Sequence, residues 1–231
     1  INLGCPSKRV TNGFAGSALM RVPDIALQLI EATVAATSLP VTVKMRLGWD
    51  DDNLNAAQIA KSAENAGARM ITVHGRTRQQ FYKGHARWEL VRPVVDAVSV
   101  PVVVNGDITD IGAARTALKA SGAAAVMIGR GAQGRPWVVG QIGAALAGQT
   151  PQSAPRGKAL LDLVADHYEA MLADYGTELG VRVARKHIGW YLDAQGLTDA
   201  AARRPLMTQD DPREVQVMLP DIFGLAWSRA A

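Results

Sequence analysis

Four short apolar runs, each closed by a polar residue and followed by a stretch of helical length, constrain this chain more than any other feature. The runs are Val41–Met45, Met70–Val73, Pro101–Val104 and Ala125–Ile128. They are nearly all apolar and rich in β-branched residues, as expected for strands buried on both faces of a parallel sheet. Amphipathic helices are predicted over Val22–Thr37, Leu54–Ala66, Trp88–Ala97 and Asp110–Ala120. Three of these are followed by helix stops, at Ser38-Leu39-Pro40, Gly67 and Gly122. The opening stub Ile1–Leu3 reads as a fifth strand. Strict alternation of this kind belongs to α/β folds.

The polar residues fall at the carboxyl ends of the runs. Lys44 and Arg46 close the first, His74 the second, Asn105 and Asp107 the third, Gly129 and Arg130 the fourth, and Cys5 follows the stub. Such a row describes the active face of a (β/α)8 TIM barrel. It also fits the crevice of an open doubly wound sheet. Five strands would leave a barrel three short, so the expectation is a barrel lacking its first three strands, with Ile1–Leu3 as an interrupted strand. Gly148–Lys158 (GQTPQSAPRGK) reads as a linker. Beyond it no strand pattern appears, and helices are predicted over Ala159–Tyr175, Glu178–Ala194, Asp199–Leu206 and Arg213–Arg229. The expected organisation is therefore the barrel portion over 1–147, the linker over 148–158 and a small all-helical domain over 159–231.

Composition closes off several function classes. Hydrophobic residues make up 48% of 231, enough for a sizeable core. No apolar run reaches about 18 residues, so no membrane span is expected. A single cysteine excludes an internal disulfide and any multi-cysteine metal site. The histidines lack zinc-site spacing, and no metal is expected. No signal-peptide pattern is present, which points to the cytoplasm. The net charge of +4 is uneven: residues 1–150 hold 16 Lys/Arg against 10 Asp/Glu, and residues 151–231 hold 9 against 11. A basic first part permits a polyanionic partner.

The individual candidates each have a plain alternative. Cys5, in Asn2-Leu3-Gly4-Cys5-Pro6, could be a nucleophile or general acid, or a small buried hydrophobe. Gly129 and Arg130 could grip a phosphate together with Asn105, Gly106 and Asp107, or merely form tight turns. Lys44 inside an apolar run must meet an anion or a polar cavity, because an unpaired buried charge is costly. His74 could share its ligand or be structural. Arg182, Arg185 and Lys186 stand at i, i+3 and i+4, on one helix face continued by Gly189, which could track phosphates or simply be solvated.

These segments resemble the tRNA-dihydrouridine synthases, most closely their bacterial B-type branch. The resemblance rests on NLGCP with GSALM (Asn2–Pro6, Gly16–Met20), VKMRLGWDD (Val43–Asp51) and VHGRTRQQFYKGHARW (Val73–Trp88). It continues through VVVNGDI (Val102–Ile108), MIGRGAQGRPW (Met127–Trp137) and RKHIGWY (Arg185–Tyr191). It implies an FMN-binding barrel followed by a helical tRNA-binding domain. It also implies reduction of FMN by NADPH, hydride transfer to C6 of a uracil, and protonation of C5 by the cysteine matching Cys5. By the same resemblance Lys44 and His74 hold the flavin ring. Asn105, Gly106 and Asp107 meet the ribityl chain and phosphate, Gly129 and Arg130 grip the phosphate, and Asn2 lies at the flavin–uracil interface. The expected partner is tRNA, and a monomer is favoured. Two other readings stay open: an FMN-barrel oxidoreductase acting on a small molecule, and an RNA-binding protein with a degenerate barrel.

Overall fold

The computed structural model describes residues 1–228. In chain order the elements are β1 (Asn2–Leu3), α1 (Lys8–Thr11), a 3-10 helix (Gly16–Arg21), α2 (Pro23–Ala36), β2 (Thr42–Arg46), α3 (Ala56–Asn65) and β3 (Met70–His74). A second 3-10 helix (Trp88–Val91) leads into α4 (Arg92–Ala97), β4 (Val102–Asn105), α5 (Ile111–Ser121) and β5 (Ala125–Met127). A third (Arg130–Ala132) precedes α6 (Val138–Leu146), α7 (Gly157–Tyr175), α8 (Thr177–Ala194), α9 (Ala200–Thr208) and α10 (Pro212–Ser228). Arg229, the expected end of the last helix, lies outside the described residues.

The five strands form one parallel sheet in the order β1-β2-β3-β4-β5. Each strand lies beside its predecessor, with helices in the crossovers. A doubly wound sheet reverses its strand order at a switch point, and no reversal occurs among these strands. The order is that of successive βα units in a barrel wall.

Register then sorts the side chains. Asn2 lies opposite Lys44, and Lys44 opposite Thr72; Arg46, His74, Asn105 and Met127 form the next row along. Side chains alternate faces along a strand, so these two rows share one face of the sheet. Leu3, Val43, Met45, Ile71, Val73, Val102 and Val104 take the other and are buried. The strands are buried on both faces, as expected, but the two faces differ in character: one carries Arg46, Thr72, His74 and Asn105, all buried. The runs are so short that two polar positions at a strand's end escape notice as alternation.

The crossovers fix the strands by local chemistry. Asp110 caps α5 by accepting from the Ala113 amide at 2.8 Å, and Gly122 ends it in the left-handed conformation. Glu64, near the end of α3, accepts from the amides of Ser99 and Val100 and so holds the approach to β4.

Packing divides the chain into two units, Ile1–Gly131 and Ala132–Ala231. The division falls ahead of the Gly148–Lys158 segment, so α6 belongs with the helices rather than with the strand-bearing part, where the linker reading had it. In the second unit α7 and α8 form a hairpin with Gly176 as its only connecting residue. Their facing sides, with α10, enclose Leu160, Val164, Tyr168, Val181, Ala184, Ile188, Leu192, Leu219 and Phe223. No strand occurs in this unit, and no helix is long and apolar enough to cross a membrane, among the described residues.

Candidate active site

At the carboxyl ends of β1–β5 the sequence-predicted residues of the first unit come together. Cys5 follows β1 with its thiol free and partly exposed. Its backbone is clamped from both sides. The Cys5 carbonyl accepts from the Ser17 amide (3.0 Å) and hydroxyl (2.8 Å), and the preceding Gly4 carbonyl accepts from Arg46 Nε (2.8 Å). Gly16 makes this turn possible. Its φ is +57°, and a Cβ there would sit 2.8 Å from the Cys5 carbonyl oxygen. Asn2 is exposed on β1, and its Oδ1 accepts from the Gly4 amide.

Lys44 is half-buried on β2. Its Nζ lies 3.8 Å from where a Cβ on Gly4 would be, which sets the ammonium over the cysteine turn. Burial, and then the neighbouring Arg46 guanidinium, pull its pKa below the ordinary lysine value. No anionic partner meets it among the described residues. Such a cation is stable only if a ligand or solvent completes its shell.

Arg46 and Arg76 are the largest fully buried side chains, an unusual place for guanidinium groups. Arg46 donates to the Gly4, Thr77 and Phe81 carbonyls, tying the cysteine turn to the loop after β3. Arg76 donates to both oxygens of Asp107 (2.9 and 2.6 Å), to the Lys83 and Gly84 carbonyls, and to His74 Nε2 (3.3 Å). Asp107 also accepts from the Ala86 amide at 2.7 Å. Its carboxylate is thereby engaged within the protein. Its burial favours the neutral acid, but the Arg76 and Ala86 bonds outweigh that and hold its pKa below the usual range.

His74 is 8% exposed, and its pKa is depressed to about 3, first by burial and then by Arg46, Lys44 and Arg76. It is neutral at any working pH. Gly106, at φ +110°, leaves no room for a Cβ, which would fall 2.7 Å from the imidazole Cδ2. Asn105 is oriented by donating from Nδ2 to the Met127 carbonyl (2.8 Å). Gly129 is exposed with open space about it. Arg130 is also exposed, stacked 4.7 Å over the Tyr82 ring and 3.7 Å from Asp107.

The helix-face cations lie in the second unit and are described by themselves. Arg182 and Lys186 are exposed on α8, and Lys186 rests 5.8 Å from the Trp190 ring. Arg185 is pinned to Asp210 (2.5 Å) and the Gln209 carbonyl. Gly189, expected to continue the exposed face, is buried and covered by Arg203, which donates to its carbonyl.

Sequence reasoning passes over Arg46 as a site residue and does not single out Arg76, Tyr82 or Ser17. A signal for Arg46 is present: it shares its side of the strand with Lys44, two residues away.

The residue pattern has counterparts. The family model described as dihydrouridine synthase matches residues 1–223. The chain is 56% identical over 224 residues to a probable tRNA-dihydrouridine synthase of Rhodobacter capsulatus, covering 97% of this chain and 68% of that protein. It is 49% identical to one from Rickettsia conorii, covering 96% of this chain and 67% of that protein. To tRNA-dihydrouridine synthase B of Xanthomonas campestris it is 42% identical, covering 95% and 65%. A family match over nearly the whole chain, together with a cysteine turn, an unpaired lysine and glycine-bearing strand ends gathered on one face, leads to one conclusion: this chain belongs to the dihydrouridine synthase family.

Proposed function

We propose that the protein reduces uridine in tRNA to 5,6-dihydrouridine, with Cys5 as proton donor, FMN bound at the strand ends of β2–β5, and NADPH as reductant. On this reading the five strands are part of an eight-stranded barrel wall. The observation that carries the proposal is Lys44: a half-buried cation without a counter-ion, beside a free thiol and a neutral imidazole. That donor set suits a heteroaromatic ring carrying carbonyl oxygens and unprotonated nitrogens as acceptors.

The residues present fit FMN. Lys44 and His74 offer donors to the ring. The backbone of Asn105–Asp107 and of Gly129, with the exposed Arg130 guanidinium, offers donors and charge to a phosphate. Asp107 contributes by its backbone, because its carboxylate neutralises Arg76. FMN, once reduced, supplies the hydride that a C=C reduction needs. The protein's share is placement and one proton. The clamps from Ser17 and Arg46 fix where the Cys5 thiol points, and the thiol delivers its proton to C5 of the base. The target base must leave the folded tRNA to reach it. Arg182 and Lys186 would meet tRNA phosphates.

The test is formation of dihydrouridine in tRNA supplied with NADPH, comparing wild type with Cys5→Ala. We expect the variant to keep bound flavin and its bleaching by NADPH, while transfer to tRNA slows roughly 10²–10⁴-fold. Wild-type transfer in Cys5→Ala would remove Cys5 from the chemistry. A protein that retains no flavin would remove the cofactor assignment.

A further inference from the structure

His74 and Arg76 stand two residues apart, and their contact fixes a property that neither has alone. Arginine carries only donors, so the 3.3 Å approach of Arg76 Nη1 to His74 Nε2 makes Nε2 the acceptor. A neutral imidazole accepting at Nε2 carries its proton on Nδ1. We propose that Arg76 is a positioning residue that locks His74 as a neutral Nδ1–H donor, and that the ligand at this site must therefore present a hydrogen-bond acceptor to it, a carbonyl oxygen or an unprotonated ring nitrogen.

The surroundings agree. Arg76 cannot turn away, because four other bonds hold it: two to Asp107 and two to the Lys83 and Gly84 carbonyls. The imidazole cannot slide, because Gly106 packs against its edge where any side chain would collide. Asp107 neutralises Arg76 and is itself held by the Ala86 amide. Nδ1 is bonded to no described residue, which leaves its proton for a ligand. The charged groups facing the ring are Lys44, Arg46, Arg76 and Asp107, three cations to one anion, and they oppose a second proton on it. A neutral imidazole of this kind is a very weak acid, so His74 does not compete with Cys5 as a proton source. This inference rests on the proposed function only for the identity of the ligand; the lock itself is a property of the protein alone.

The experiment is 15N NMR of histidine-labelled protein without cofactor or tRNA, with His74 assigned from His74→Gln. The expected result is a pyridine-type signal at Nε2 and a protonated, pyrrole-type Nδ1, unchanged between pH 8 and pH 5. An Nε2–H tautomer, an averaged pair of signals, or a titration midpoint near the ordinary histidine value overturns the proposal. In Arg76→Lys, which keeps the charge opposite Asp107 but loses the fork, the Nε2 signal should move toward the averaged position. A pure Nδ1–H tautomer persisting in that variant would assign the lock to another group and overturn the role of Arg76. If the lock is found and the protein reduces no uridine, the proposed function fails and this inference stands.

Discussion

The cations of the β2 and β3 strand ends and those exposed on α8 serve opposite purposes. In the strand-bearing unit, Arg46 and Arg76 are 1% and 2% exposed, and their guanidinium groups are bonded to backbone carbonyls and to Asp107. They act as cross-links between the loops that follow β1, β3 and β4. On α8 of the helical unit, Arg182 and Lys186 face solvent, and the core beneath them is apolar. The two buried arginines thus hold the site in register, while Arg182 and Lys186 are left available. Charge on a sequence therefore says little until its burial is known.

That contrast can be broken most severely at Arg76. Replacing it with Met should leave the Asp107 carboxylate without its main partner and cost about 3–5 kcal/mol, the scale for breaking a buried pair from one side. Urea unfolding measures it, and a loss below about 1 kcal/mol would place Arg76 with the surface cations. Gly106→Ala comes next. A side chain at φ +110° against the His74 ring should cost about 1–3 kcal/mol and release bound flavin, read by absorbance after desalting.

Acid titration sharpens the comparison further. His74 binds its proton far less readily folded than unfolded, so between about pH 6.5 and its folded value of about 3 the unfolded chain takes up more protons. The stability that depends on the neutral ring is complete above pH 6.5 and is lost as the pH falls through that window, with a slope approaching about 1.4 kcal/mol per pH unit. Asp107, also depressed, adds loss in the same direction only below the ordinary aspartate value. His74→Gln should flatten the slope of the urea midpoint between about pH 6.5 and pH 4; an unchanged slope would refute the assignment.

The smallest effects belong to α8. Arg182→Ala and Lys186→Ala should leave stability within about 0.5 kcal/mol. They should weaken tRNA binding and lower its salt slope by roughly one for each phosphate no longer neutralised. Arg185→Ala should cost under about 1 kcal/mol through its partly exposed pair with Asp210. A salt slope identical to wild type in all three would leave this face merely solvated.

Much of the site is legible in the sequence because strand ends are readable. An apolar run announces its length, and the polar residue that stops it marks the carboxyl edge, which is how Cys5, Lys44, His74 and Asn105 stand out. The helices of the second unit are readable from their apolar spacing in the same way. Arg76 is not, for a physical reason. Its partners are carbonyls of Lys83 and Gly84, which carry no signature, and a carboxylate 31 residues away. For the same reason the sequence does not reveal that the Asp107 carboxylate is already engaged, which leaves its backbone to meet a ligand. The bounds of the short helix α6 are not legible, because it follows β5 through a glycine-rich turn without a capping side chain.

The alternation along β2, β3 and β4 also sets where this protein can tolerate length change. One residue gained or lost inside β2 would exchange Lys44 and Arg46 for their apolar neighbours, driving two cations into the layer of α3 and emptying the site at once. The same change in the turns leading into the strands, such as 37–41 or 98–101, leaves every row of the register where it was. Insertions and deletions that persist in descendants of this sequence should therefore gather at the amino ends of the strands, with none within them.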